Sequence, residues 1–510
     1  MFISQDYFDE TLLESQELFE YSDEEAVKET ISELETKARL DHLSLTHPDS
    51  TEGIEDRKKQ KDFVESLEKE DLGKAIAMLK TAAESDKKSL PSYASLVLQN
   101  GFLAPNSNLV SFFEKETKDV EIIIKFILAV LPNATTAHPL VRELKLQLGK
   151  QLEDWSSYYE KHTDLWIPLL EWAHVCCNAV EDNKKTFVQA AIKFRSKGGP
   201  QKNGLDLLLD SLPSELTDGD DETLRRDMQR SMDICKLITV LGKFQASAEP
   251  QPKDGEAPTV SSAHANVKEL HKCGAVNSLH CLAKKCTDGD KEELLCELLN
   301  ALRVLAIDND IVQNMVAVGL LDTANASLLS NETISSPLAA ATLGLVRNLC
   351  ANDEIKTSIC RQSLPSILHV METHASQSLV QEHGLGILAA MALRQPNNAT
   401  SICNANGSHH ILTAMRTFPT KVPLQRQGAL ALRNMACRLP LESKQIMLDA
   451  GAENVLKDIA SRHQESIDEA YGALRDLGCS AVMYKMDENG NMQGTQMFGS
   501  VKSNFRAVYD

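Results

Sequence analysis

ALRVLAIDND (301–310), LVRNLCANDE (345–354), ILAAMALRQP (387–396), ALRNMACRLP (431–440) and ALRDLGC (473–479) are five versions of one phrase. Their anchoring apolar residues are Leu305, Leu349, Met391, Met435 and Leu477, spaced 44, 42, 44 and 42 residues apart. A fixed period of this length means that one supersecondary unit recurs and buries its apolar face against copies of itself.

Counting back from each anchor as position 11, apolar or small residues mostly recur at positions 0, 4, 7, 8 and 11. The first copy reads Leu294, Leu298, Ala301, Leu302, Leu305, and the fourth reads Leu424, Gly428, Ala431, Leu432, Met435. At about 100° per residue these positions form one face of a helix. Each anchor is followed 14 or 16 residues later by a small residue, Gly319, Ser363, Gly407 or Gly451, and then by another apolar segment such as VLKDIAS (455–461). That order predicts helix, turn, helix. Pro337 and Pro423 stand just before position 0, where a missing N–H is harmless and the fixed φ favours helix initiation. The pattern predicts an all-α fold, a right-handed superhelical α-solenoid of the armadillo/HEAT type.

ALRNMA and LVRNLC look like the third helix of the armadillo repeat. More narrowly, the chain resembles the armadillo repeat-containing protein six family, through EEAVKE (24–29), the order ALRVLA then LVRNLC, the long interruption before the regular repeats, and the closing ALRDLGC.

Weaker copies are expected upstream, in LGKAIAMLKTAAE (72–84), VEIIIKFILAVL (120–131), WIPLLEWAHVCCNAV (166–180) and DICKLITVLGKF (233–244). The organisation read from the chain is acidic N-terminal helices over 1–43, a polar linker over 44–62, and degenerate repeats over 63–245. A flexible Pro/Ser-rich loop over 246–264, regular repeats over 265–479 and a loosely ordered tail over 480–510 complete it. Ser22 with Glu25 is a capping-box signature in the first segment.

Composition narrows the function. With 510 residues and 42% hydrophobic content, the chain exceeds what one compact core usually supports, so several domains or an array must follow. The net charge is −20, and residues 1–56 hold seventeen acids against three basic residues. No basic stripe is present to displace counterions, so nucleic acid is not the expected partner. Twelve scattered cysteines without CxxC pairs suggest buried thiols rather than disulfides or zinc, and no segment reads as a signal peptide or membrane span. The cytosol is the expected location, with nuclear entry left open.

A solenoid of this class has no deep pocket by default, so columns of equivalent third-helix positions become the candidate site. Position 9 holds Arg303, Arg347, Ala389, Arg433 and Arg475, almost opposite the buried stripe. Four arginines broken once are suited to charge-assisted contacts with an acidic, extended or phosphorylated segment of a protein partner. The alternative is that they pair with acids of adjacent helices and cover apolar surface with their stems. Position 10 holds Asn348 and Asn434, which the armadillo resemblance implies would hydrogen-bond the main chain of an extended peptide. Position 6 holds Gly344, Gly386 and Gly472, read as room for a ligand backbone.

The expected function is a non-enzymatic protein-interaction scaffold, with no cofactor. A nuclear-import adaptor is a weaker alternative, because such a site pairs each asparagine with a tryptophan four residues earlier, where this chain has Gly344 and Leu430. It also needs an acidic floor, whereas this column is basic. An enzyme without a recognisable motif is the other alternative, since GxxxxGK[ST], HExxH, GxSxG and paired CxxC are all missing. His409-His410 reads as a solvated pair and Cys176-Cys177 as core filling.

Overall fold

A computed structural model describes residues 51–68, 155–161, 166–178, 180–195, 201–213, 221–243, 261–286, 291–329, 334–463, 466–479, 481–486 and 492–498, with isolated positions at 74–75, 77–78, 124 and 216. The chain divides into two compact units, Met1–Ala275 and Val276–Asp510. The expected acidic helices over 1–43 and most of the segments 72–84 and 120–131 lie outside the described residues.

In the second unit the five predicted third helices are all present: α1 (Glu292–Leu305), α2 (Ser336–Leu349), α3 (Ser378–Ala392), α4 (Val422–Ala436) and α5 (Ile467–Leu477). Each packs on the next, α1 on α2 and so on to α4 on α5. Every residue of the predicted stripe is buried, from Leu294 and Leu298 in α1 to Ala473 and Leu477 in α5. Ser335 caps the start of α2 by accepting from Leu338 N–H at 3.3 Å, and Pro337 and Pro423 sit in the first turns of α2 and α4.

The turns between the first and second helices of each copy differ from the expectation in two places. Gly319 and Gly451 adopt φ of +88°, a left-handed conformation that favours glycine. In the copy between them that carries Gly407, the left-handed residue is Asn406, φ 59°, and Gly407 already lies in the helix. Ser363 is not a turn at all. It is buried within one continuous helix, Ile355–Thr373, because serine carries the Cβ that disfavours the left-handed turn, and Pro365 interrupts the helical bonding there instead.

In the first unit, hydrogen bonds locate the copies that the sequence period obscures. Asn398 donates from Nδ2 to the anchor carbonyl Met391 O at 3.0 Å. Asn183 makes the same bond to Cys176 O at 2.8 Å, and Asn266 to Leu241 O at 3.1 Å. Cys176 and Leu241 are therefore anchors, and Leu169, Trp172, Ala173 and Ile234, Leu237, Ile238 fill positions 4, 7 and 8 before them, all fully buried. A buried lysine repeats as well. Lys184 donates to Lys243 O and Lys356 to Leu393 O, each carbonyl lying two residues past an anchor. Here aromatic residues also build the core, with Trp155 stacked on Tyr159 at 4.7 Å and Tyr159 on Trp166 at 4.9 Å.

Two segment boundaries are corrected. Thr51–Glu68 is helical, so the polar linker does not extend to 62, and Phe63 and Leu67 are buried one turn apart. The predicted loop ends sooner, because a helix begins at Ala263, pinned where Glu181 accepts from the Ser262 N–H and hydroxyl. Beyond Cys479, where a loosely ordered tail was expected, strands Ala481–Met486 and Met492–Phe498 pair as an antiparallel hairpin. Among the described residues no helix is long and apolar enough to cross a membrane.

Candidate functional site

The candidate residues lie on successive third helices of the second unit, where Arg303, Arg347 and Arg433 at position 9 lean toward the next copy. The arginine stems occupy the glycine positions. A Cβ at Gly344 would lie 2.8 Å from Arg303 Nη1, one at Gly386 would lie 2.5 Å from Arg347 Nε, and one at Gly472 would lie 2.9 Å from Arg433 Nε. The space read from the sequence as room for a ligand backbone is filled by these arginines.

The break in the arginine column explains itself by the same rule. Ala389 stands where an arginine would be, and the next position 6 is Leu430 instead of glycine. Along the stack the positions match as arginine with glycine three times, and as alanine with leucine once. The seat is intermolecular-looking only in sequence; in the fold it is the packing between successive copies.

The charged ends of these arginines have different fates. Arg347 Nη1 lies 3.8 Å from Glu382 Oε1, and Arg433 Nε lies 3.6 Å from Asp476 Oδ2. Arg475 Nε donates to Asp476 Oδ1 at 2.8 Å, with half of its side chain exposed. Both arginines thus share one carboxylate, which also accepts from the Cys437 thiol at 2.7 Å. Arg303 has no carboxylate within ion-pair distance among the described residues. Its Nη1 instead meets His383 Nε2 at 3.4 Å, reaching past Gly344 to the copy beyond. Burial, and then the charge of Arg347, lower the pKa of Arg303 from its ordinary value.

Asn348 and Asn434 already bond main chain, but within the stack. Asn348 Nδ2 donates to Arg303 O at 2.8 Å and Asn434 Nδ2 to Ala389 O at 2.9 Å, so each ties its helix to a carbonyl in the last turn of the preceding third helix. Each amide keeps its oxygen and a second N–H, and both side chains remain half-buried.

Sequence reasoning missed His383. It lies at position 3 of its copy and is 7% exposed. Guanidinium can only donate, so Nε2 must accept and Nδ1 must carry the ring proton. That Nδ1 has no hydrogen-bond partner, an omission that costs about 1–3 kcal/mol. Burial first, then the charges of Arg303 and Arg347, push the His383 pKa down to about 4, so the ring is neutral at pH 7. Beside it opens a cleft of about 450 Å³, lined by Glu293, Cys296, Glu297 and Arg303 of α1, Ala340 of α2, and His383 of α3. Burial and the neighbouring carboxylates hold the Cys296 thiol up at about 12, so it is not a reactive thiolate.

The other singled-out residues behave as structural groups. Cys176 and Cys177 are fully buried, as read from the sequence. The His409 and His410 rings lie edge to face at 6.2 Å, and among the described residues no three metal-ligating side chains cluster.

Comparison with known proteins agrees with the resemblance read from the sequence. Residues 1–40 match the family model described as the Armadillo repeat-containing protein 6 N-terminal domain. Armadillo repeat-containing protein 6 of Pongo abelii is 32% identical over 118 residues, covering 22% of this chain and 24% of the relative. The protein of that name from Homo sapiens is 32% identical over 121 residues, with the same coverage. The alignment thus spans about a quarter of these relatives' length. Among solved structures, an engineered protein superposes with a TM-score of 0.55 at 15% identity, over 92% of this chain and 98% of its own. A designed armadillo repeat protein reaches a TM-score of 0.40 at 17% identity, over 54% of this chain and 99% of its own. The fold is an all-α armadillo-type solenoid.

Proposed function

We propose that the chain is a non-enzymatic scaffold in the cytosol that holds an extended protein segment along the third-helix face of its second unit. The observation that carries this reading is Arg303, a half-buried guanidinium with a second guanidinium beside it and no carboxylate partner among the described residues. Leaving a buried charge unpaired is costly, and an acidic side chain from a partner would repay that cost. Arg347, Arg433 and Arg475 extend the same column with pairs that are at least partly exposed, where exchange with a partner carboxylate costs little. Asn348 and Asn434 contribute their remaining amide groups to the segment's main chain.

The test is capture of partners from cell extract by the full chain. An Arg303/Arg347/Arg433/Arg475→Ala variant, shown by circular dichroism to be equally helical, should lose the partners that the unaltered chain retains. Unchanged capture would make the column purely structural and retire this reading.

A further inference from the structure

We propose that the cleft beside Arg303 and His383 is a discrete oxyanion subsite, which takes a carboxylate or phosphate group carried by an extended polypeptide whose adjacent residue is basic. This rests on the reading of the third-helix face as the partner surface, and adds a place and a chemistry to it.

Two independent observations meet there. The first is the donor set. Arg303 supplies a guanidinium without a carboxylate partner among the described residues, and the buried His383 meets it through Nε2 at 3.4 Å, which holds the charged head against the cleft. An oxyanion is the group that answers an unpaired guanidinium, since it accepts from several of its N–H groups and neutralises the charge at once. The second is the open volume of about 450 Å³ against the same two side chains, space for a side-chain head group and a stretch of main chain.

The other end of the cleft along α1 selects the rest of the ligand. Glu293, exposed in the first turn of α1, lies ten residues before Arg303, about 15 Å along the helix axis at 1.5 Å per residue. Successive side chains of an extended segment point to opposite sides, so an acidic residue at Arg303 places its neighbour toward Glu293. A basic neighbour suits that end. Glu293, with Glu292 and Glu297 also lining the cleft, repels a run of phosphates, which favours a polypeptide of mixed charge over a nucleic acid.

The experiment reads the subsite directly. Inorganic phosphate is titrated into the full chain, labelled at histidine, while the imidazole nitrogen signals of His383 are followed by NMR. The His383 signals should move saturably, and the response should vanish in Arg303→Gln and persist in Arg475→Gln. No response in the unaltered chain, or an equal one in Arg303→Gln, overturns the subsite. A short alternating Glu-Lys peptide should bind about tenfold more tightly to the unaltered chain than to either Arg303→Gln or His383→Leu. Equal affinity across the three, or preference for a single-stranded oligonucleotide over that peptide, overturns the ligand assignment. Circular dichroism verifies that each variant folds. The phosphate response needs no partner, so its failure removes the subsite while leaving the scaffold reading to the capture experiment.

Discussion

Arg347 occupies the volume that a side chain at residue 386 would need, its Nε lying 2.5 Å from where a Cβ on Gly386 would stand. The same relationship joins Arg303 to Gly344 and Arg433 to Gly472, one copy further along each time. Glycine inside a helix costs about 0.5–1 kcal/mol relative to alanine, so three of them in equivalent positions require a return. The return is a seat for an arginine stem, which buries its methylenes between copies while its head remains at the surface.

This seat predicts a change of sign. In an Arg347→Ala background, Gly386→Ala should stabilise the chain by about 0.5–1 kcal/mol, because only the helix propensity of alanine remains. With Arg347 present the same substitution should be neutral or destabilising, since the stem must leave its seat and give up Glu382. A double-mutant cycle in urea measures the difference, and additive effects would refute the seat.

The gap in the column predicts the reverse experiment. Ala389 is 5% exposed and Leu430 stands at the position equivalent to the glycine seats, so Ala389→Arg should cost about 1–3 kcal/mol by overpacking. Adding Leu430→Gly should recover part of that loss. Thermal melts of the single and double variants decide it.

Most of the fold could be read from the chain because the stripe at positions 0, 4, 7, 8 and 11 is a local pattern within one helix. The arginine–glycine seat is not local. Arg303 and Gly344 are 41 residues apart, and the sole signal in the sequence is that Ala389 and Leu430 break both columns together. His383 was invisible for the same reason, since its partner Arg303 lies two copies away. Upstream, the anchors Cys176, Leu241 and Leu305 stand 65 and 64 residues apart, because extra segments sit between copies. The period fails there, while the asparagine bonds to the anchor carbonyls persist.

Those bonds identify Lys356 as a structural cation. It is 1% exposed, pairs with Asp353 and donates to Leu393 O at 2.7 Å. Lys356→Met keeps the stem packing but orphans that carbonyl, and should cost about 1–3 kcal/mol by denaturant unfolding. Lys356 holds the Asp353 carboxyl below its usual range through their hydrogen bond. A depressed carboxylate pKa stabilises the fold above the unfolded value and loses that stabilisation as pH falls through the folded one. The variant should therefore be less sensitive to acid below about pH 4.

His383 gives a second, higher window. Its folded pKa of about 4 lies below the ordinary value, so the unfolded chain binds the proton first and stability falls as pH drops from about 6.5 toward 4. At pH 5 the loss should be about 2 kcal/mol relative to pH 7.5. His383→Gln should flatten that part of the stability profile. An unchanged profile would show that the ring is not held neutral.

The four arginines should not contribute equally to partner capture. Arg347 and Arg433 are engaged by Glu382 and Asp476 of the following copy, and their stems fill glycine seats. Arg475 is half exposed and sits in the last third helix, and Arg303 has no carboxylate within ion-pair distance among the described residues. An Arg303→Gln/Arg475→Gln double variant should thus lose most captured partners with a stability change of about 1 kcal/mol or less. Arg347→Gln/Arg433→Gln should lower stability more and capture less. If capture instead follows Arg347 and Arg433, the partner displaces the intramolecular carboxylates, and binding should strengthen when Glu382 and Asp476 are changed to Gln and Asn.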